Sequence, residues 1–221
     1  MPELQGAVSD RIKMRIAILL FVVLFLSCSQ KIEQTQNTEQ PQQKPKIIIP
    51  QRRGDYSLEK AVDLCAKAGG LQSLREISLP NGDFEIRFWI FNRFGINGLI
   101  IRKSGENWSA LFVERMPFKN DNLYPENRYI NPKSDWQNIL QRINEAEIFT
   151  LPDSSEVKNY EGDKVNDGFS NIVEINKDGI YRVYEYVNPN WAENPEAKQI
   201  VKIGNIIADE FGLEEFRVEI K

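Results

Sequence analysis

The residue types that most often carry out catalysis are scarce in this chain. It contains no histidine among its 221 residues, which removes the commonest general base and the usual neutral ligand of zinc. Its two cysteines, Cys28 and Cys65, lie far apart in the sequence. No glycine-rich phosphate loop, serine nucleophile motif or zinc-type cysteine spacing is present. The motifs therefore predict no catalytic residue, no metal and no cofactor.

One set of polar residues partly follows the spacing of an EF-hand calcium loop. The residues that match it are Asp163, Asp167, Gly168, Asn171 and Glu174. The third position of the loop, however, is Val165, and the pattern after Glu174 is that of a strand rather than of the helix that the motif requires. We interpret the segment as a polar loop and not as a calcium site.

A second set is aromatic and basic, and it allows two interpretations. Arg182, Tyr184 and Tyr186 alternate along a predicted strand, and Trp191 follows in the next loop. If this face is open, the set forms a binding surface for a ligand or a partner, because such side chains supply most interface binding energy. If it is covered, the same residues are packed across strands beneath a helix. The strand at 84–91 carries aromatic side chains on both faces, for which we expect burial on both sides.

The chemistry of Cys28 depends on the segment before it. Residues 14–27 read MRIAILLFVVLFLS, with Arg15 ahead of an apolar run and a small residue before Cys28. The apolar run, residues 16–26, is shorter than the roughly 20 residues that span a bilayer, so the pattern indicates a cleavable signal peptide. We expect residues 1–27 to be removed and translation to start at Met14.

The segment FLSC at residues 25–28 resembles the lipobox of bacterial lipoproteins. The resemblance implies that Cys28 is acylated and becomes the first residue of the mature chain, held to a membrane by several acyl chains. The alternative is an ordinary secretory signal with an incidental cysteine. With Cys28 modified, Cys65 has no intrachain partner, and we expect it to be a buried, inert thiol.

A tether is predicted over residues 28–54. It is rich in Gln, Pro, Lys and Thr and has too few apolar residues to fold alone. A flexible chain of this length spans roughly 30 Å, enough to carry a domain clear of lipid headgroups. Ser29 stands where an aspartate favours inner-membrane retention in lipoproteins of the enterobacterial type, so we expect the outer membrane of a bacterial cell envelope.

The remaining residues, 55–221, are predicted to form one α+β domain. Apolar periodicity predicts helices after Ser57, over 134–145 with a Ser134 cap, and from Pro195 to Phe211. Period-two patterns predict strands at 84–91, 99–103, 108–116, 171–176, 181–187 and 216–220. We expect a mostly antiparallel sheet with about three helices packed on one face.

The segments FEIRFWIF, GENWSA, SDWQNIL and YRVYEYVNP are similar to segments of hypothetical proteins and lipoproteins of Bacteroidota-like bacteria. This resemblance spans most of residues 55–221 and implies a recurrent exported domain. It brings no catalytic residue with it.

Charge and composition limit the function further. Lys and Arg number 28 against 32 Asp and Glu, a net charge of −4, so the concentrated basic surface that nucleic acid requires is absent. The main hypothesis is a non-enzymatic, membrane-anchored module that binds a protein or a small molecule. The alternatives are a hydrolase of envelope glycans that uses two carboxylates, and an inhibitor or structural module that covers a partner protein.

Overall fold

The computed structural model describes residues 44–52, 57–93, 95–116, 126–165 and 168–219. Residues 41–221 form one compact unit. The predicted signal peptide, Met14, Cys28, most of the predicted tether and Asp167 lie outside the described residues.

The domain is built on a sheet of seven strands. In chain order these are β1 (Lys46–Ile48), β2 (Phe84–Asn92), β3 (Gly95–Ser104), β4 (Asn107–Met116), β5 (Glu126–Ile130), β6 (Ser170–Lys177) and β7 (Ile180–Val187). Their spatial order is β1-β7-β6-β2-β3-β4-β5, and every pair is antiparallel except β1 with β7. The predicted α+β class and the mostly antiparallel sheet are confirmed.

Three helices cover the sheet: α1 (Leu58–Ala68), α2 (Trp136–Glu145) and α3 (Pro195–Phe211). All three follow the predicted periodicity. Ser57 caps α1 as predicted, whereas α2 is capped by Asp135, whose side chain accepts a hydrogen bond from the Asn138 amide, and not by Ser134.

The prediction that all helices pack on one face is wrong. Alternate residues of β2 enter two separate cores: Phe88 and its neighbours pack in the core that includes residues of α2 and α3, and Trp89 packs in the core that includes residues of α1. Both faces of the central strands carry large apolar side chains, and burying each face away from water requires a helix on each side. Gly98 makes this possible, since a Cβ there would lie 2.2 Å from the Trp89 ring.

The ends of the predicted domain also differ from expectation. Within the predicted tether, Lys46–Ile48 joins the sheet as β1, so the domain begins earlier than residue 55. The predicted strand at 216–220 is not formed over its described residues. There the Asn205 side chain of α3 accepts a hydrogen bond from the Val218 amide at 2.9 Å and donates one to the Val218 carbonyl at 3.2 Å, taking the place of a neighbouring strand.

Candidate ligand-binding pocket

The two tyrosines predicted as an open surface are covered. Tyr184 and Tyr186 have no exposed side-chain area. The Tyr184 hydroxyl donates to the Ile148 carbonyl at 2.7 Å, and the Tyr186 hydroxyl donates to the Pro152 carbonyl at 2.9 Å. Each tyrosine therefore pins the segment that follows α2 onto the sheet.

Arg182 also binds the segment that follows α2 to the sheet. Its guanidinium donates to the carbonyls of Phe149 and Leu151 and lies 5.1 Å from the centre of the Tyr184 ring. Trp191 remains about half exposed in the turn after β7. The surface interpretation is therefore wrong for Arg182 and the two tyrosines. They pack beneath a covering element, as the alternative predicted, but that element is a loop and not a helix.

The partial calcium motif does not assemble. Asn171 and Glu174 are buried in β6 on opposite faces of the sheet, while Asp163 lies in a short turn outside it. Among the residues that the structure describes, no group of three metal-binding side chains comes together.

A carboxylate whose pKa is raised by burial lies on the α1 side of the sheet. Glu174 is 1 % exposed and accepts hydrogen bonds from Trp89 Nε1 at 2.8 Å and from the Tyr181 hydroxyl at 3.0 Å. Burial raises the pKa of Glu174, and the nearby Arg87 only partly opposes this. Because its environment is sealed, Glu174 cannot act on a substrate without movement of the elements around it.

A neighbouring carboxylate is equally enclosed. Glu85 is fully buried and accepts from Arg87 Nε at 2.7 Å and from Arg102 Nε at 2.5 Å. Both of its oxygens are therefore occupied by guanidinium groups. This arrangement neutralises a buried charge, which is the usual condition for tolerating one inside a sheet.

Two further carboxylates, those of Asp153 and Glu185, lie close to the chain that leaves β1. Arg52 bridges Asp153 Oδ2 at 2.6 Å and Glu185 Oε2 at 2.8 Å. Asp153 also accepts from the Glu185 backbone amide at 2.9 Å and from the Ser155 amide at 3.0 Å. These two carboxylates are close enough for paired acid and base chemistry, but they are locked into an ion pair and neither lines a pocket described below.

A pocket of about 510 Å³ lies at the end of the sheet where β2 ends and β6 begins, a size typical of sites for small ligands. Its apolar wall and its polar rim come from the end of β2, the start of β6 and the chain after α3. The lining residues are Ile90, Asn92, Arg93, Gly168, Phe169, Glu215, Arg217 and Val218.

Asn171 is not a lining residue of this pocket, but it is the strand partner of Ile90, which is one. It pairs with Ile90 across the strands, so the two side chains share a face of the sheet, and Phe169 is two residues before it on that face. The Asn171 side chain is fully buried, and neither its Oδ1 nor its Nδ2 has a hydrogen-bond partner among the described residues. A buried amide without partners costs roughly 1–3 kcal/mol, so its presence here needs an explanation.

The wall of the pocket is held by another asparagine. The Asn188 side chain accepts from the Phe169 amide at 2.9 Å and donates to the carbonyls of Gly162 and Val165 at 3.2 and 3.0 Å. Gly168 is required beside it, because a Cβ on that residue would lie 1.4 Å from Asn188 Oδ1. Asn188 thus holds Phe169 on one side and Gly162 and Val165 on the other by hydrogen bonds.

A second pocket, of about 470 Å³, lies between α2 and α3. Most of its charged side chains already have partners: Arg142 binds Glu210, and Lys198 binds Glu193 at 2.9 Å. The pKa of Asp209 on its rim is lowered, mainly by a hydrogen bond from Arg217. Among the described residues near this second pocket, one buried polar atom lacks a hydrogen-bond partner, Gln199 Oε1 on α3.

Comparison of the chain with models of known protein families, and with curated protein sequences, finds no match. Within the described ranges, no helix has both the length and the apolar character needed to cross a bilayer. The site is therefore argued from its own geometry.

The sequence predicts Asn171 in the strand at 171–176 and in the partial calcium motif, but it singles out neither Asn171 nor Asn188 as a binding residue. The run NIVEIN at 171–176 places three polar residues in that strand, which the structure buries on both faces. A polar residue in a strand of this kind is a usable signal for a site, but recognising it requires knowledge that both faces are covered.

Proposed function

We propose that the protein is a lipid-anchored bacterial envelope protein that binds a small ligand in the pocket beside Asn171, and that it is not an enzyme. The anchor rests on the lipobox-like segment at Cys28. The binding role rests on the pocket at the end of β2 and β6.

The observation that carries the binding role is the buried Asn171 amide, whose two polar atoms have no hydrogen-bond partner among the described residues. A side chain that served only packing would be replaced by leucine, which has a similar shape and no polar atoms to desolvate. An amide at this position is useful if a ligand supplies the missing donor and acceptor. Ligand binding then accounts for an amide that lowers the stability of the ligand-free protein, a trade-off that is common at binding sites.

The surroundings of Asn171 define the chemistry of the ligand. Ile90, Phe169 and Val218 present an apolar wall, while Glu215 and Arg217 place opposite charges at the rim. A charged group would be costly to bury beside the unpaired amide, whereas an uncharged amide or peptide group offers it both a donor and an acceptor. The ligand therefore has an apolar body and an uncharged amide-like end that pairs with Asn171.

The position of the pocket suits an anchored protein. The tether enters the sheet at Lys46, which pairs with Ile180 at the start of β7, whereas the pocket lies near the end of β7 at Val187. At about 3.3 Å per residue, the length of β7 separates the two ends by roughly 25 Å. The pocket thus opens at the end of the sheet away from the tether.

Neither alternative function gains a supporting observation. The glycan hydrolase needs an accessible pair of carboxylates, whereas the carboxylates described above are bound by arginine or sealed within the fold. The covering module needs a continuous aromatic patch, but the two aromatic residues that are exposed in the described part of the chain, Tyr129 and Trp191, lie on β5 and beyond β7, with four strands between them.

Titration calorimetry with N-acetyl-L-phenylalaninamide, which joins an aromatic body to uncharged amides, tests the binding role. We expect saturable binding to the wild-type protein and at least tenfold weaker binding to the Asn171→Leu variant. Lys202→Leu, on the rim of the second pocket, is the control and should bind like the wild type. Equal affinity for all three proteins would show that Asn171 is not part of a site.

A further inference from the structure

Exposed isoleucines cluster at one edge of the sheet. Among the described residues, six large apolar side chains are exposed, and three of them belong to β1 and the start of β7: Ile47 at 52 %, Ile48 at 45 % and Ile180 at 41 %. We name these three residues the isoleucine edge. Ile180 pairs with Lys46, so Ile48 and Ile180 lie on one face of the sheet and Ile47 lies on the other face of the same edge. Single exposed apolar residues are common on protein surfaces, whereas several at one edge form a candidate contact surface.

Lysines surround the isoleucine edge. Lys44 and Lys46 are exposed on the chain that forms β1, and Lys177 lies at the end of β6, close to Ile180. Asp178 is the neighbouring acid, and it is paired with Lys177 at 2.9 Å. Apolar side chains ringed by lysine are the combination that adsorbs to bilayers with anionic headgroups.

Strand pairing with a second protein is disfavoured at this edge. β1 has only three residues, and Pro45 and Pro50 stand on either side of it. Proline has no amide hydrogen to donate to a new strand, and short edge strands bounded by proline are a known protection against edge-to-edge association. The contact that fits the edge is therefore one made by side chains.

The chain that leads to β1 limits where this edge can be. The 15 residues from Ser29 to Gln43 reach at most about 50 Å when fully extended. If Cys28 is lipidated, as the proposed function assumes, Lys44 is within that distance of the membrane surface at all times. The lysines and isoleucines thus lie on the part of the domain that is held nearest to lipid.

We propose that the isoleucine edge, with Lys44, Lys46 and Lys177, docks on a bilayer rich in anionic lipid. In this orientation the pocket beside Asn171, at the other end of β7, faces away from the membrane. The docking rests on the proposed anchor for its biological setting. The affinity of the edge for lipid is nevertheless a property of the folded domain alone.

Vesicle flotation of the unacylated chain, residues 28–221 with Cys28→Ser, separates the edge from the anchor. We expect binding to vesicles of phosphatidylglycerol and phosphatidylethanolamine that weakens as salt rises, and little binding to phosphatidylcholine vesicles. The double variants Ile48→Ser/Ile180→Ser and Lys44→Glu/Lys46→Glu should each bind roughly tenfold more weakly or worse.

Two variants serve as matched controls. Leu64→Ser removes an exposed apolar side chain from α1, and Lys202→Glu reverses a charge on α3; both should bind vesicles like the parent chain. Circular dichroism of every variant establishes that it is folded. Equal binding by edge variants and controls, or no binding to anionic vesicles, overturns the proposal.

Two further measurements distinguish lipid docking from dimerisation and from the lipid anchor. Light scattering that shows a dimer broken by the edge variants would assign the edge to a second copy of the chain and overturn lipid docking. Mass spectrometry of the mature N-terminus tests the anchor independently, because an unacylated start elsewhere than Cys28 would contradict the proposed function whatever the vesicles show.

Discussion

At the scale of single residues, three asparagines in similar surroundings have different consequences. Asn176 donates to the carbonyls of Leu74 and Ile77 at 3.1 and 2.7 Å, and Asn188 bonds three backbone groups. Asn171 is just as buried but bonds none of the described groups. The first two stabilise the fold, whereas Asn171 weakens it.

This contrast predicts opposite effects of one substitution at two positions of β6. Asn171→Leu should raise the free energy of unfolding by about 1–3 kcal/mol, because it removes an unpaired buried amide. Asn176→Leu should lower it by about the same amount, because it strands two buried carbonyls. Urea unfolding of both variants measures the changes. A loss of stability in Asn171→Leu would mean that the amide has a partner within the protein.

The raised pKa of Glu174 predicts how stability depends on pH. Its folded-state pKa lies above the ordinary value of 4.5, so the folded protein holds a proton that the unfolded chain releases. The stabilisation is complete below about pH 4.5 and is lost as pH rises through the folded-state pKa. We expect the free energy of unfolding of the wild type, taken relative to that of Glu174→Gln, to be highest in acid and to fall as pH rises through the folded-state pKa.

Glu161→Gln is the control for this titration. Glu161 is exposed, and its pKa is lowered by the hydrogen bond from Lys164, so any pH dependence that it contributes has the opposite sign. Thermal unfolding between pH 3.5 and 8 distinguishes the two residues. An unchanged difference between wild type and Glu174→Gln across this range would show that Glu174 does not titrate abnormally.

At the scale of elements, the sequence predicted the helices best. α1, α2 and α3 each carry an apolar stripe and a recognisable start or stop, so local patterns define them. β1 and β5 were missed, because a three-residue strand has no periodicity to detect and β5 is a polar edge strand with an exposed Tyr129. Their pairing is a tertiary property.

The Arg52 ion pair fastens the chain after β1 to β7 and predicts a large cost on removal. Arg52→Met leaves Asp153 and Glu185 buried without their shared cation, which should lower the free energy of unfolding by about 3–5 kcal/mol. Arg217→Met breaks ion pairs to the exposed Asp209 and Glu214 and should have a much smaller effect, because solvent screens these charges. Chemical denaturation compares the two, and similar costs would contradict a structural role for Arg52.

At the scale of the whole molecule, the sequence predicted the class of the fold but not the distribution of helices. Aromatic residues on both faces of β2 already indicated that both faces are buried, and the placement of α1 opposite α2 and α3 is the consequence. The candidate pocket could not be predicted, because its walls come from residues 90–93, 168–169 and 215–218, which only the folded chain brings together.

The molecule also has two unlike ends. The tether, the lysines and the isoleucine edge lie at the start of β7, and the pocket lies at its end. A domain of this kind can hold one end at a surface and offer the other to a ligand without any moving part between them. This arrangement is consistent with the proposed binding role, which rests on the pocket and on the Asn171 amide.

The most direct test of this account is nuclear magnetic resonance of the Asn171 side-chain amide during titration with N-acetyl-L-phenylalaninamide. We predict that the two Nδ2 proton signals of Asn171 shift downfield and saturate together with backbone signals of Phe169 and Ile90, while the side-chain signals of Asn176 stay in place. Asn171 signals that do not move at saturating probe would contradict the assignment of this pocket as the ligand site.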